Sequence, residues 1–189
     1  MEKIILIGIS GNVGSFSEEA SNHYCQKNNI ENYKLKYLIS AEETLKALSN
    51  KDIDKAIFPI ENSNGGVVTE AIYAISNYNF NIEKVFEIDV QHCLLVQKGI
   101  NMNDIKKITS HPQALKQCRI YIKNKLPDTE LNEYSDTADA AKDLSEGKLT
   151  SDTAIIAPKV CKKLYELDLL EESIQDLKFN FTTFVVAVN

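Results

Sequence analysis

The sequence of 189 residues has few or none of several residue types on which whole classes of proteins depend. It contains no tryptophan and only one arginine, Arg119, so an anionic ligand must be bound mainly by lysines, hydroxyls or backbone amides. The four cysteines have no C-x-x-C spacing and no histidine at the spacing typical of a metal site. The sequence therefore excludes a disulfide scaffold, and it predicts no metal and no cofactor.

Long apolar runs and an excess of positive charge are missing as well. No segment approaches the roughly 18 apolar residues of a membrane-spanning helix, and the N-terminal segment is not typical of a signal peptide. The net charge of −6 repels phosphate backbones and anionic lipids, which argues against nucleic acid and membranes as partners. With 43% hydrophobic and 25% charged residues, we expect a globular cytoplasmic protein whose cysteines are buried free thiols.

What is present is an alternation of strand and helix patterns. Short apolar runs predict strands, and the amphipathic segments between them predict helices. The predicted strands include residues 4–7, 56–60, 154–157 and 181–188, and the predicted helices include residues 113–125 and 137–145. Regular alternation from Phe86 to Val96 predicts one long strand that divides two similar blocks. This order indicates an α/β fold with a largely parallel sheet, and it is compatible with two lobes.

Polar residues cluster where four predicted strands lead into helices. The junctions read G-N-V-G-S-F-S-E at residues 11–18, P-I-E-N-S-N-G-G at 59–66, S-H-P-Q at 110–113 and Y-S-D-T-A at 134–138. In open α/β sheets, ligands bind beyond the carboxyl ends of the strands, where helix N-termini carry free N–H groups and partial positive charge. Several such termini together would bind an anion without arginine.

Each junction also has a purely structural interpretation. Ser15 with Glu18, and Ser110 with Gln113, fit capping boxes that only begin a helix. The Glu61-Asn62-Ser63 run is harder to explain in this way, because it precedes two glycines that let a ligand approach the backbone closely.

Taken together, the motifs resemble those of prephenate dehydratase. The resemblance lies in G-x-x-G-S-F-S-E-E-A (11–20), P-I-E-N-S-x-x-G-x-V (59–68), S-H-P-Q-A-L-x-Q-C (110–118) and D-T-A-x-A-A (136–141), in the same order and at similar spacing. It implies two βα lobes of periplasmic-binding-protein-like (type II) architecture, with the active site in the cleft between them. The first lobe would comprise residues 1–84 plus 177–189 and the second residues 85–176, together forming one catalytic domain.

The resemblance also implies an activity. A protein of this family is a carbon–oxygen lyase that converts prephenate to phenylpyruvate, with loss of CO2 and water, in phenylalanine biosynthesis. Prephenate would be the small-molecule partner, and the protein would act as a cytoplasmic homodimer without a cofactor. Because the sequence ends just after the catalytic domain, we expect no C-terminal regulatory domain that binds phenylalanine.

The family's site residues transfer to matching positions in this sequence. The signature Asn-x-Thr-Arg-Phe corresponds to residues 180–184, and it implies that Thr182 is the catalytic residue. The implied substrate-binding residues are Gly14, Ser15, Glu61, Asn62, Ser63, Ser110, His111, Gln113, Thr137 and Phe184. The position of the signature arginine is Thr183, whose side chain should lie on the opposite strand face from Thr182 and cannot replace a guanidinium.

Because of this substitution, three functions stay open. The first is a prephenate dehydratase whose activity is altered by Thr183. The second is an enzyme that decarboxylates prephenate without expelling its hydroxyl, so that no aromatic ring forms. The third is a non-catalytic protein that binds a small acid. The presence of Thr182 and of the Glu-Asn-Ser and Ser-His-Pro-Gln loops favours the first function.

Overall fold

The structure is a computed structural model that describes residues 3–189, and it contains two compact units. The first unit extends to Asp89 and resumes with Phe181–Asn189, whereas the second unit comprises Val90–Asn180. The boundaries expected from the sequence, after residues 84 and 176, lie a few residues before these positions. The difference arises because strand pairing keeps the residues up to Asp89 in the first unit.

The first unit is a sheet packed with helices. In chain order its elements are β1 (Ile5–Ile9), α1 (Phe16–Lys27), β2 (Tyr33–Tyr37), α2 (Ala41–Ser49), β3 (Lys55–Asn62), β4 (Gly66–Val67), α3 (Thr69–Asn77), β5 (Asn81–Asp89) and, after the second unit, β11 (Phe181–Val188). The strands are ordered β2-β1-β3-β11-β5, and the short β4 pairs with β3. The last strand of the chain therefore lies between β3 and β5.

Local sequence explains where these elements begin and what they bury. Ser40 begins α2 as its N-cap, because its side-chain oxygen accepts a hydrogen bond from the Glu43 backbone N–H at 3.1 Å. The apolar stripe of α2, including Leu45, then packs against Phe58 of β3 and Val185 of β11. Burial of each such side chain contributes about 1.5–3 kcal/mol, so this packing fixes β11 in the first unit.

The second unit has its own sheet and helices. Its elements are β6 (Cys93–Val96), β7 (Lys107–Ser110), α4 (Pro112–Gln117), α5 (Arg119–Lys125), β8 (Glu130–Glu133), α6 (Thr137–Ser145), β9 (Thr153–Ala157), α7 (Val160–Leu164) and β10 (Asp168–Glu171), with a short 3-10 helix at Met102–Asp104. The strands are ordered β10-β6-β9-β7-β8.

The sheet of the second unit is covered on both faces. Successive residues of a strand point to opposite faces, and in β6 Leu94 packs in one apolar cluster while Leu95 packs in the other. In the same way, Ile156 and Ile155 of β9 belong to different clusters. A strand buried on both faces reads as a continuous apolar run, which is why the sequence predicts β9 correctly.

The predicted long strand from Phe86 to Val96 is wrong. The structure ends β5 at Asp89 and begins β6 at Cys93, and the two strands belong to different sheets. The hydrogen bond from the Val90 backbone N–H to the Asn180 carbonyl, at 2.7 Å, extends the pairing of β5 with β11 by one residue, and the chain then continues in the second unit. The alternation of apolar and polar residues continues across residues 90–92. The sequence pattern alone therefore does not show where the first unit ends.

The predicted helix over residues 113–125 divides into α4 and α5 at Cys118. The cause is a cap from outside the helix, since the Asp176 carboxylate accepts hydrogen bonds from the backbone N–H groups of Ile120 and Tyr121 at 2.8 and 2.9 Å. These donors begin a new helix instead of continuing the first one.

The expectation of a largely parallel sheet is also corrected, because each sheet is mixed. In the first unit β1 runs parallel to β2 and β3, but β11 is antiparallel to both β3 and β5. In the second unit β7 runs parallel to β8 and β9, but β6 is antiparallel to β9 and β10. Strands β5, β6, β10 and β11 flank the two points where the chain passes between the units, and each of them takes part in antiparallel pairs.

All four cysteines are buried free thiols, which confirms the expectation from the sequence. Among residues 3–189, no helix combines the length and hydrophobicity needed to cross a membrane.

Candidate active site

The end of β3 and the start of β11 bring two motif residues of the first unit together. Asn62 and Thr182 are opposite each other in the antiparallel ladder, and the Asn62 side-chain Nδ2 donates a hydrogen bond to Thr182 Oγ1 at 2.9 Å. Their exposed fractions are only 6% and 8%. Burial strengthens this hydrogen bond, because little water competes for it.

The orientation of the Asn62 amide follows from its other hydrogen bonds. Its Oδ1 accepts from the backbone N–H groups of Asn64 and Gly65 at 2.9 and 2.7 Å, which folds the loop after β3 into a turn. The atom facing Thr182 must therefore be the amino group, so the Thr182 oxygen is an acceptor. Within residues 3–189, no hydrogen bond uses the Thr182 hydroxyl as a donor, and its proton is available to a ligand.

Ser63 holds the residue that precedes Thr182. The Ser63 backbone N–H donates to the Phe181 carbonyl at 2.8 Å, and the Phe181 backbone N–H donates to Ser63 Oγ at 3.0 Å. The second hydrogen bond uses the Ser63 hydroxyl, a group that a ligand would otherwise contact. Ser63 therefore also orients the start of β11.

A β-bulge separates these residues from the regular part of the ladder. The pairing of β11 with β3 shifts between Thr183 and Phe184, whose partners are Glu61 and Pro59. Proline cannot donate a ladder hydrogen bond, and bulges tolerate it for that reason. The bulge changes the register just before Asn62, at the residues of the P-I-E-N-S motif.

Thr183 lies beside two carboxylates and not beside Asn62. Its cross-strand partners are Glu61 on β3 and Glu87 on β5, and its Oγ1 donates to Glu87 Oε1 at 3.3 Å. Both glutamates are exposed. The alternation of side chains along β11 places Thr183 on the opposite face from Thr182, as the sequence predicts.

Phe184 is a core residue of the first unit. It is 1% exposed, and its ring stacks on Phe86 of β5 with the centroids 5.9 Å apart. In this buried position Phe184 packs β11 against β5. It has almost no exposed surface with which to contact a ligand.

The two predicted binding residues before α1 form a helix cap. The Gly14 backbone N–H donates to Glu18 Oε2 at 2.5 Å, and Ser15 Oγ accepts from the Glu18 backbone N–H at 3.3 Å. The other oxygen of Glu18 accepts from the Tyr37 hydroxyl at 2.7 Å. The carboxylate of Glu18 therefore already occupies the position where an anion would meet this helix terminus.

In the second unit, the predicted residues lie where β7 and β8 end. Ser110, the last residue of β7, is fully buried, and its hydroxyl donates to the Ile156 carbonyl at 2.6 Å, so it links β7 to β9. His111 follows as the N-cap of α4, and its Nδ1 accepts from the Gln113 backbone N–H at 3.2 Å. Because Nδ1 is an acceptor, the proton of the neutral ring is on Nε2, which can donate to a ligand.

Thr137 is the first residue of α6 and is largely buried. The preceding residue, Asp136, caps the helix by accepting from the backbone N–H groups of Ala138 and Asp139 at 2.7 and 3.1 Å. Burial raises the pKa of Asp136, while these two hydrogen bonds act in the opposite direction. The sequence did not single out Asp136 as a site residue, although an acidic residue before an amphipathic segment is a signal for a cap.

The structure thus brings Asn62, Ser63 and Thr182 together in the first unit, and it places Ser110, His111, Gln113 and Thr137 at neighbouring strand ends of the second unit. It shows Gly14, Ser15 and Phe184 in supporting contacts, and Glu61 beside Thr183. Within residues 3–189, there is no group of three or more metal-ligating side chains.

Comparison with known proteins gives the family. The sequence model of the family described as prephenate dehydratase matches residues 7–189. A bifunctional chorismate mutase/prephenate dehydratase from Buchnera aphidicola subsp. Schizaphis graminum is 33% identical over 179 residues, which are 93% of this chain and 45% of that protein. The chain therefore spans less than half the length of this relative.

Solved structures agree with the sequence comparison. A prephenate dehydratase from Arthrobacter aurescens, crystallised in complex with L-Phe, has a TM-score of 0.87 and 26% identity, over 98% of this chain and 60% of that one. A putative methionine-binding lipoprotein from Bacillus subtilis has a TM-score of 0.50 and 14% identity, over 99% of this chain and 83% of that one, and shares the fold alone. The α/β fold of the periplasmic-binding-protein-like class is confirmed, and the chain belongs to the prephenate dehydratase family.

Proposed function

We propose that the protein is a prephenate dehydratase, a carbon–oxygen lyase that forms phenylpyruvate in phenylalanine biosynthesis, with Thr182 as its catalytic residue. One observation carries this proposal: the Thr182 oxygen accepts a hydrogen bond from Asn62, so the hydroxyl proton points away from Asn62 and can be donated. A hydroxyl held in this way is a preorganised donor for an oxygen that gains negative charge.

The reaction explains why such a donor is useful. In prephenate, the bond between the ring and its carboxylate breaks, and its electron pair enters the ring as CO2 leaves. The bond between the ring and the hydroxyl oxygen breaks at the opposite carbon, and that oxygen leaves with its electron pair as hydroxide, which takes up a proton to become water. Negative charge grows on the departing oxygen, so a hydrogen bond from Thr182 becomes stronger as the reaction proceeds.

The other predicted residues suit the two carboxylates of prephenate. His111 presents an Nε2–H donor, and Gln113 and Thr137, in the first turns of α4 and α6, have an amide and a hydroxyl that can donate to a carboxylate. Asn62 and Ser63 orient the segment that carries Thr182. The protein contributes binding and orientation, while the formation of an aromatic ring supplies the driving force.

The absence of the signature arginine is compatible with this activity. Thr183 lies between Glu61 and Glu87, so an arginine at this position would have carboxylate neighbours from the protein itself. This placement supports a role for the position in holding the three strands together, and it favours the dehydratase over the two alternative functions.

The product of the reaction tests the proposal. The purified protein is incubated with prephenate, and the products are separated and identified by mass spectrometry. Phenylpyruvate is expected. A non-aromatic dihydro-hydroxyphenylpyruvate would indicate decarboxylation without dehydration, and saturable binding of prephenate without turnover would indicate a binding protein; either result would refute the proposal.

Variants at Thr182 test the proposed role of its hydroxyl. Thr182→Val removes the hydroxyl while keeping the shape, and we expect kcat to fall about 100- to 1,000-fold, as for the loss of one preorganised donor. Thr182→Ser keeps the hydroxyl and should retain most of the activity. Thr183→Val is the matched control, because it makes the same change one residue further on the opposite face. Equal losses in Thr182→Val and Thr183→Val would exclude Thr182 from the mechanism.

We also propose that the protein is a cytoplasmic homodimer. Free buried thiols suit a reducing compartment. Large apolar side chains are exposed in the first unit, including Tyr73 at 70% and Ile82 at 59%, and a second copy would cover such surface. Light scattering during gel filtration should give twice the chain mass of 21.2 kDa, and a monomer at micromolar concentration would refute the dimer.

A further inference from the structure

A buried polar network surrounds the last residue of the second unit. The Asn180 side-chain Nδ2 donates to the Val90 carbonyl at 2.9 Å and to Gln117 Oε1 at 2.8 Å. Gln117 Oε1 also lies 2.7 Å from His92 Nε2. The exposed fractions of Asn180, His92 and Gln117 are 0%, 3% and 8%, so water does not compete with these hydrogen bonds.

The direction of each hydrogen bond follows from the backbone. The Val90 carbonyl can only accept, so the Asn180 atom that faces it must be the amino group. The same amino group faces Gln117, which therefore presents its oxygen. That oxygen can only accept from His92, so His92 carries a proton on Nε2. Burial lowers the pKa of His92 to about 4, which agrees with a neutral ring.

The network joins segments that are distant in the sequence. The Val90 backbone N–H donates to the Asn180 carbonyl at 2.7 Å, so Val90 and Asn180 exchange hydrogen bonds in both directions. The Asp176 backbone N–H donates to the Gln117 carbonyl at 2.8 Å. Between Asp176 and Asn180 the chain is loosely packed, with Leu177 60% and Phe179 80% exposed. The network thus holds Asn180 directly after this exposed segment.

Three consecutive residues are held one after another. Asn180 is held by Val90 and Gln117, Phe181 exchanges hydrogen bonds with Ser63, and the Thr182 oxygen accepts from Asn62. Each of these three consecutive residues therefore has hydrogen-bond partners of its own.

We propose that Asn180 is a positioning residue for Thr182, and that Gln117 and His92 act through Asn180. The network fixes the backbone of Asn180 and so sets the conformation from which β11 starts. This inference rests on the proposed function of Thr182, and it assigns a purpose to two motif residues, Gln117 and Asn180, that do not themselves contact the substrate.

The first experiment measures kcat and KM separately for Asn180→Ala. A misplaced Thr182 hydroxyl weakens the transition state and not the bound substrate, so kcat should fall about 100-fold while KM stays unchanged. Leu126→Ala, a core variant of the second unit that does not pack against β11, is the control for lost stability, and it should keep kcat below its unfolding temperature. Unchanged kcat in Asn180→Ala, or a rise in KM alone, would overturn the proposal.

A second pair of variants decides the question if Asn180→Ala does not fold. His92→Gln retains an amide donor toward Gln117 and should keep most of kcat, whereas His92→Leu removes the donor and should lower kcat without changing KM. Equal behaviour of the two variants would overturn the proposed network.

A spectroscopic measurement separates this proposal from the proposed reaction. The methyl resonance of Thr182, assigned by its absence in Thr182→Ser, should shift in Asn180→Ala and stay in place in Leu126→Ala. This readout needs no turnover. If the wild-type protein does not convert prephenate, the proposed function fails, and the methyl resonance still tests the positioning; an unshifted resonance in Asn180→Ala would overturn it.

Discussion

The free energy of unfolding should decrease as the pH falls from 6.5 toward 4, because His92 is buried as a neutral ring. In the unfolded chain His92 titrates near its ordinary value of 6.5, whereas burial lowers its pKa in the folded protein to about 4, against an opposing effect of the Gln117 hydrogen bond. Between these values the unfolded chain binds one more proton than the folded protein. Acid therefore favours unfolding, and the stability is fully present only above pH 6.5.

The size of the effect follows from the two pKa values. A difference of about 2.5 units, at 1.36 kcal/mol per unit, corresponds to about 3 kcal/mol lost when the pH has fallen through 4. The total free energy of unfolding of a small domain, about 5–15 kcal/mol, is only a few times larger than this loss. The Asp54 carboxylate, whose pKa is lowered chiefly by hydrogen bonds from Lys3 and Leu6, loses its contribution only below its ordinary value of 3.8. The raised pKa of Asp136 acts with the opposite sign, so a variant is needed to isolate His92.

The assay is urea unfolding followed by circular dichroism at several pH values from 7.5 to 4.5, for the wild type and for His92→Gln. Glutamine keeps a donor toward Gln117 but does not titrate, so the difference between the two proteins contains only the His92 contribution. The wild type should lose stability relative to His92→Gln as the pH falls through the stated window. Parallel pH profiles for the two proteins would refute a buried neutral His92.

Other consequences of the structure are testable in the same way. Thr183→Arg should raise the stability by about 0.5 kcal/mol at low salt through pairing with Glu61 and Glu87, and the gain should disappear at high salt; an equal gain in Thr183→Gln would contradict the ion pairs. Gly11→Ala should lower the free energy of unfolding by about 1 kcal/mol, because a Cβ there would lie 2.5 Å from Ser15 Oγ and displace the cap of α1. Calorimetry should show that adding Ser15→Ala to this variant lowers the free energy of unfolding only slightly further. A thiol reagent should modify none of the four cysteines in the native protein and all four in urea, since burial makes the thiols inaccessible; rapid native labelling would contradict their burial.

Much of the fold follows from local pattern alone. The predicted bounds of the last strand, residues 181–188, and of the helix at residues 137–145 agree with β11 and α6. Ser15 caps α1 as predicted. These elements depend on side-chain periodicity and on hydrogen bonds within a few residues, so they can be read from the sequence.

The candidate site was predictable only as a set of motifs. The sequence predicts that the P-I-E-N-S loop and Thr182 carry function, but it does not show that Asn62 donates to Thr182 across 120 positions of the chain. It also cannot show that the Ser110 hydroxyl is used to join β7 to β9. Motif recognition identifies residue types, whereas burial and partners decide which atoms remain available.

By itself, the sequence determined most of the strands and helices, the cap at Ser15 and the family, because each of these depends on short-range pattern or on the order of motifs. Only the tertiary structure decided that the pattern from Phe86 to Val96 is two strands in two sheets, that β11 runs antiparallel between β3 and β5, and that Asn180 binds Val90 and Gln117. The physical reason is that hydrogen bonds between distant residues have no local signal: they exist only once packing has fixed the register of the strands that carry them.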